Sequence, residues 1–577
     1  MTLSTKAWFE KNIGMLAEQE TAPAQGGATV VHPPPQPAID ALQDSKAAQI
    51  QKIRDNALRA ASKDQSAARA AATNATQAAI ASAGRVAIDQ YGNARFLTHI
   101  GQRYTPVRLD GQEFQDICQR IAMDTTGKPL SKDAIAATVA VLRARAVEAR
   151  CCVQVHVRVA TKQLPSGAPA YLLDLGNDAG QVAAITAKGW AVAHNAEFAF
   201  LGGGGALPVP IEPAGDAEAY KILSDFLERA GVPQDRVLVV IVVLCEWLRS
   251  DTMYPILNVL GVAGSGKTSL ARALLSVIDP PSSGKLPEVE IEVEHIAASA
   301  QSKHVLVADN ASQLSRDQQN LLCKVCYGFE TSQRKLYTQT EVERLPIHNP
   351  VIVTSILPAI TAPDLHNRAI RIEFKPRRDF KSQTELADVL DQERAEVLGA
   401  LLTLLSAGLR HMDRSRSSPH RLVDFAQLGD GIAVALGEPQ GHFSQLLSEV
   451  TRTTAADYAG GDDLIGAIQA VLLAQEAKAV AADVLPPQST WVGGVCAIKR
   501  RDGSFCAAFA QPSELFAAIV RAKAPSPFDS DRQIPQNPRA LASALNLKTP
   551  VLRDLGIEVS KRTITGHTVW GFSWRRQ

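Results

Sequence analysis

The residues best suited to chemistry stand in one short run, Gly261-Val-Ala-Gly-Ser-Gly-Lys-Thr268. It satisfies the pattern GxxxxGK[ST] in full, the spacing of a loop that wraps phosphates. Gly261, Gly264 and Gly266 let backbone N–H groups curl around an anion, and a following helix adds its positive end. Lys267 supplies a mobile point charge for the β- and γ-phosphates of ATP. The Thr268 hydroxyl suits Mg²⁺, and Ser265 and Ser269 complete the expected nucleotide contacts. Further on, His304-Val-Leu-Val-Ala-Asp-Asn310 ends an apolar stretch on an acid, which makes Asp309 the second expected Mg²⁺ ligand. Asn310 follows it. An amide can orient a water but cannot take its proton, so hydrolysis would be slow or would borrow a carboxylate such as Glu288 or Glu290.

These residues need strands and helices to hold them. Pro255 to Leu260 reads as a buried strand before the loop, and Ser269 to Leu275 as a helix after it. Arg334 to Leu345 makes two short alternating stretches about a polar turn. Pro350 to Ile356 is another apolar strand, with polar Thr354 near its end. Arg368 stands just before a strand over Ala369 to Phe374, where it would reach a neighbouring subunit's γ-phosphate or simply lie on the surface.

The order of these parts, with the text Ala308-Asp-Asn-Ala-Ser-Gln-Leu-Ser, Lys335-Leu-Tyr-Thr, Asn349-Pro-Val-Ile-Val-Thr-Ser-Ile and Pro363-Asp-Leu-His-Asn-Arg-Ala-Ile, resembles the AAA+ core of superfamily 3 helicases. It is similar in particular to D5-type replication ATPases of phages and mobile elements. The likeness runs over about residues 90 to 450. It implies a homo-oligomeric ring, usually a hexamer, with ATP between subunits and single-stranded DNA in the pore. It makes Arg368 the arginine finger, Thr354 the sensor of the γ-phosphate in place of the family's usual Asn, and the hairpin around Thr338 to Glu341 the pore element. Arg334 and Lys335 would then touch DNA phosphates, although they equally suit a solvated strand edge.

Around this core the expected fold class is α/β: a P-loop NTPase with a small α/β domain before it, a helical lid and a C-terminal winged-helix-like domain. The expected boundaries are 1–84 for an Ala/Gln/Pro-rich tail, 85–215, 216–380, 381–475 and 476–577. In the second region Arg158 and Asp174 lie on neighbouring strand-like stretches and read as an ion pair or as surface, and Gly202 to Gly205 reads as a flexible loop. At the C-terminus two helical stretches, Ala540 to Leu545 and Val551 to Ile557, precede a β-hairpin. Residues 548–577 hold six basic and two acidic residues. Arg553, Lys561 and Arg562 there suit phosphates, and a docking module for protein is the other reading.

Composition sets the outer limits. In 577 residues, 60 Lys and Arg meet 59 Asp and Glu, which excludes binding nucleic acid by bulk positive charge. An apolar fraction of 46% excludes wholesale disorder. Eight cysteines in so long a chain form no disulfide framework, and Cys323-Lys-Val-Cys326 lacks the second pair of a zinc site. The longest aliphatic run, Val237 to Leu244, is far short of the roughly 20 residues of a membrane span, so a cytoplasmic protein without a membrane partner is expected. The function that follows is an ATP-dependent DNA helicase or translocase of phage or mobile-element replication, with a separate primase or initiator as a further partner. The alternative is an ATP-switched DNA-binding or assembly protein (a loader, origin binder or defence component) that hydrolyses little. A small-molecule kinase explains neither the hairpin nor Arg368.

Overall fold

The computed structural model describes residues 65–148, 152–195, 198–202, 204–334, 342–375, 383–415, 418, 420–461, 463–476, 479–481, 495–509, 512–522, 535, 537–564 and 567–575. The chain is mixed α/β and separates into two compact units. The first comprises Met1–Ala359 and Ile372–Phe443, the second Ile360–Arg371 and Ser444–Gln577.

The first unit opens with a helix, Gln65–Ala83, at the end of the stretch expected as a tail. Alanines make it poor in large apolar side chains, yet they let it approach closely. Ala79 and Ile80 are fully buried against Phe96, Phe114 and Ile117. The sheet beneath runs Arg103–Arg108, Ala94–Ile100, Arg85–Asp89, Cys152–Val153. The alternating text from Cys152 to Ala160 is not one strand. Its first piece pairs in parallel with Arg85–Asp89, Val155–His156 pairs with Ala199–Phe200, and Val159–Gln163 starts a separate sheet. That sheet is an antiparallel meander through Pro169–Asp174, Gln181–Thr186 and Gly189–His194.

Arg158 and Asp174 are both buried, but they are not each other's ion-pair partners. The Arg158 guanidinium pairs with Asp279 at 3.1 Å and donates to the carbonyls of Asp174 and Gly205, while Arg103 takes the Asp174 carboxylate at 2.6 Å. This is why the glycine run is needed. A Cβ on Gly204 would lie 2.0 Å from Arg158 Nη2, so Gly204 serves close packing rather than slack.

The nucleotide-loop text lies in a parallel sheet. Ile256–Gly261 pairs with Val351–Ser355, which pairs with Leu306–Ala308; on the other side of Ile256–Gly261 stands Ala369–Phe374. Parallel strands covered on both faces bury every position, and all six residues of Ile256–Gly261 are buried. Val237–Glu246 is buried at every position but the half-buried Leu238. Behind it the long helix Gln383–His411 buries Val397 to Ala407 almost without break and packs on Asp216–Ala230, Val237–Glu246 and Lys267–Ile278. Ser406 and Thr403 also bond Thr186 and Trp190 of the meander. This helix is central to the first unit rather than a lid over it, and residues 444–475 of the expected lid group with the second unit.

In the second unit a five-stranded sheet runs Val480–Ala481, Val495–Lys499, Ser504–Phe509, His567–Arg575, Ile557–Ile564. Asp463–Glu476, Pro512–Ala522 and Pro538–Asp554 cover its apolar side around Phe509, Phe572 and Trp570. The two helical stretches expected near residues 540 and 551 are a single helix. It is capped by Asn537, whose side chain accepts from Ala540 N, and opened by Pro538. The terminal hairpin extends a larger sheet through Ser504–Phe509 instead of standing alone. No described helix is long and apolar enough to cross a membrane.

Candidate functional site

The run Gly261 to Thr268 turns from the end of Ile256–Gly261 into the helix Lys267–Ile278. Gly266 caps that helix at φ 102°, a left-handed conformation that side chains resist. Lys267 lies inside the turn. Its Nζ donates to the carbonyls of Gly261 at 2.8 Å and Val262 at 3.1 Å. Burial lowers its pKa from the usual lysine range, and the Asp309 charge opposes that shift. Ser265 is fully buried and Ser269 half-buried.

Asp309 follows directly on the strand Leu306–Ala308. The Thr268 hydroxyl reaches both its oxygens, at 2.9 and 3.2 Å. An octahedral Mg²⁺ with oxygens at 2.0–2.1 Å spaces neighbouring ligands by about 2.9 Å, so this hydroxyl–carboxylate pair fits the ion. Thr354, at the end of the adjacent parallel strand and fully buried, closes the arrangement. Its Oγ1 donates to Asp309 Oδ1 at 2.5 Å and accepts the Asn310 N–H at 2.9 Å. The only hydroxyl proton of Thr354 is therefore spent on Asp309, and the side chain expected to sense a phosphate holds the carboxylate instead. Asn310 is exposed and adopts φ 58°, the single non-glycine residue at positive φ among those described.

One residue that the sequence reading overlooked supports this arrangement. Asp279 ends the helix after the loop, and its Oδ2 accepts the N–H groups of His304 and Val305 at 2.7 and 3.1 Å. It thus fixes the start of the strand that delivers Asp309, while its other oxygen holds Arg158. Glu288 bridges Val307 through its backbone with its side chain exposed, and Glu290 sits 3.1 Å from His295 on the surface.

The other expected residues are dispersed. The strands Phe329–Arg334 and Val342–Ile347 pair as the expected hairpin, with Arg334 opposite Val342; Lys335 and Thr338 to Glu341 lie outside the described residues. In the second unit Arg368 is buried beside the short helix Pro363–His366. Its Nη1 bonds the carboxylate and the carbonyl of Asp364 at 2.7 and 2.6 Å. Arg553, Lys561 and Arg562 are exposed. Lys561 and Arg562 are consecutive in Ile557–Ile564 and so point to opposite faces, with Lys561 over the Trp570 ring at 5.5 Å.

Residues 229–440 match one family model. It is described as "Actinomycete integrative conjugative element replication protein" and covers the phosphate-loop motif, Asp309, Thr354 and Arg368. No curated protein matches the chain. Among solved structures, one described as "SCCmec type IV Cch - active helicase" is 13% identical, with 83% of this chain and 90% of that chain covered at a TM-score of 0.38. Another, "The A form apo structure of NrS-1 C terminal region-CTR", is 11% identical, with 86% and 98% covered at 0.36. A third, described as bound to "JCV Helicase", is 14% identical over 40% of this chain and 64% of that one at 0.21.

Proposed function

We propose that this chain is an ATP-dependent DNA helicase or translocase serving the replication of a mobile element, built on a P-loop AAA+ core. The observation that carries this reading is the meeting of Lys267, Thr268 and Asp309 at the ends of two parallel strands that flank Val351–Ser355 in one sheet, inside the segment that matches a replication-protein family. ATP would lie on the loop, its phosphates taken by the backbone N–H groups of Gly264 to Thr268 and by Lys267 as it leaves the two loop carbonyls. Mg²⁺ held by Thr268 and Asp309 would neutralise charge on those phosphates. Thr354 keeps the Asp309 carboxylate turned toward Thr268. Arg368 is the proposed finger: it must leave Asp364 to reach a neighbouring subunit's ATP in a ring of identical chains. The hairpin Phe329–Ile347 and the exposed cations of the C-terminal sheet, here read as a winged-helix-like module, are the proposed contacts to single-stranded DNA.

One observation favours the second reading, an ATP-switched assembly protein with little turnover. Asn310 presents an amide beside Asp309, where a fast hydrolase needs a base, and Thr354 has no second proton for a phosphate. Steady-state ATPase activity with and without single-stranded DNA, with Lys267→Ala as blank, separates the two. Stimulation by DNA that vanishes in the variant supports the motor. ATP binding with negligible turnover under both conditions sinks the motor and leaves the switch.

A further inference from the structure

A cleft of about 160 Å³ opens in the first unit, and none of the phosphate-loop residues line it. Its walls include Arg95, His156, Tyr254 and His348, with Leu345 and Pro346 from the second strand of the hairpin. Arg95 is the informative side chain. It is 7% exposed, and its Nε donates to Asp89 Oδ2 at 2.8 Å. The other Asp89 oxygen is taken by the N–H groups of Tyr91 and Asn93 at 3.0 and 2.8 Å. Both Nη groups of Arg95 are thus left without a partner among the described residues, although the residue is more than nine-tenths buried. Arg158, which also lines the cleft, differs: all three of its nitrogens are engaged.

The cleft therefore holds a planar fork of donors whose charge Asp89 already balances. It does not call for a further negative charge. It calls for two acceptors side by side on one planar edge. The surroundings suit a flat ring. Tyr254 stacks on His348 with centroids 4.4 Å apart and planes at 25°. Burial pushes His156 and His348 down to about 4, so both imidazoles are neutral near pH 7. A closed cavity of about 150 Å³ is known to accept one benzene ring; this cleft is of similar volume but open on one side, so it has room for the edge of one base with sugar and phosphate left outside. Of the two purines, guanine, with O6 and N7 adjacent, is the one whose edge matches an arginine fork; adenine replaces one of those acceptors with a donor.

We propose that this cleft binds one guanine base, read through O6 and N7 by Arg95. Two sources share that chemistry, a free guanine nucleoside and a guanine unstacked from a single strand drawn along the hairpin. The second source rests on the DNA-motor reading above.

The test measures fluorescence anisotropy of labelled single strands: all-thymine, the same strand with one internal guanine, and that strand with 7-deazaguanine, which lacks the N7 acceptor. The wild-type chain should bind the guanine strand about tenfold tighter than the other two. Arg95→Lys, which keeps the charge and loses the fork, should bind all three alike. Equal affinity of the wild type for the three strands overturns the strand source. So does a guanine preference that persists in a folded Arg95→Lys chain. Should that variant not fold, the 7-deazaguanine comparison on the wild type decides by itself. Should no strand bind at all, the DNA reading fails and the cleft is judged by calorimetry with free guanosine. Binding that Arg95→Lys abolishes upholds it, and no binding overturns it.

Discussion

Thr354 has one hydroxyl proton and gives it to Asp309 at 2.5 Å, deep inside the sheet. Removing that proton should free the carboxylate without altering the loop proposed to grip phosphate. Hydrogen bonds to a charged group contribute about 1.5–3 kcal/mol, so Thr354→Val should lower kcat for ATP by about 10- to 100-fold. KM for ATP should change little, the Mg²⁺ concentration for half-maximal activity should rise, and Thr354→Ser should restore most of the rate. A variant whose KM alone rises would mean that Thr354 touches the nucleotide itself. The phosphate-loop pattern and Asp309 could be named from the sequence because each proposed role is written in consecutive residues. The Thr354–Asp309 bond was not: it joins positions 45 apart and exists only because Val351–Ser355 pairs beside Leu306–Ala308. The unspent Arg95 fork was illegible for the same reason, since only the fold shows which donors lack partners.

At the scale of elements, the buried pair Arg158–Asp279 ties the meander sheet to the start of the Asp309 strand. Its side chains are 3% and 5% exposed, so neither charge has water to fall back on. Arg158→Met leaves the Asp279 carboxylate buried with only backbone N–H partners. It should therefore destabilise the first unit by about 3–5 kcal/mol, read as a lower urea midpoint. Adding Asp279→Asn should recover a large part of that loss, because the buried charge is gone; a double variant no better than the single would show that packing, not charge, sets the cost. Element types were well read from periodicity, since alternation and apolar runs report which faces are covered. Pairing partners were not: the alternating stretch from Cys152 serves three sheets, and the text near residues 540 and 551 makes one helix that starts at Asn537 and Pro538 and runs on through Pro550, where the sequence alone suggests a break.

Two properties belong to the whole molecule. The first is acid sensitivity. Burial holds His156 and His348 at about 4 in the fold, whereas an exposed histidine titrates near 6.5. Below 6.5 the unfolded chain takes up protons that the folded chain refuses, so their contribution is intact above 6.5 and is lost as the pH falls toward 4. Each histidine should account for roughly 3 kcal/mol by pH 4. The melting temperature should drop steadily between pH 6.5 and 4.5, and His348→Gln should flatten that slope. The second would follow from the proposed ring, a division of labour between copies. Lys267 belongs to the first unit and Arg368 to the second, and Arg368 is tied to Asp364 on its own helical turn. If the ring proposed here is right, each ATP is gripped by one chain's Lys267 and completed by a neighbour's Arg368. Lys267→Ala and Arg368→Ala chains should then each be inactive alone, the first for want of ATP binding and the second despite it. Mixed in equal amounts after exchange of subunits, about a quarter of the sites join an intact Lys267 to an intact Arg368, and activity should return to about that fraction. A mixture that stays inactive, while sedimentation shows that the two variants share rings, would place both residues in service of the same chain's nucleotide and remove the finger in trans.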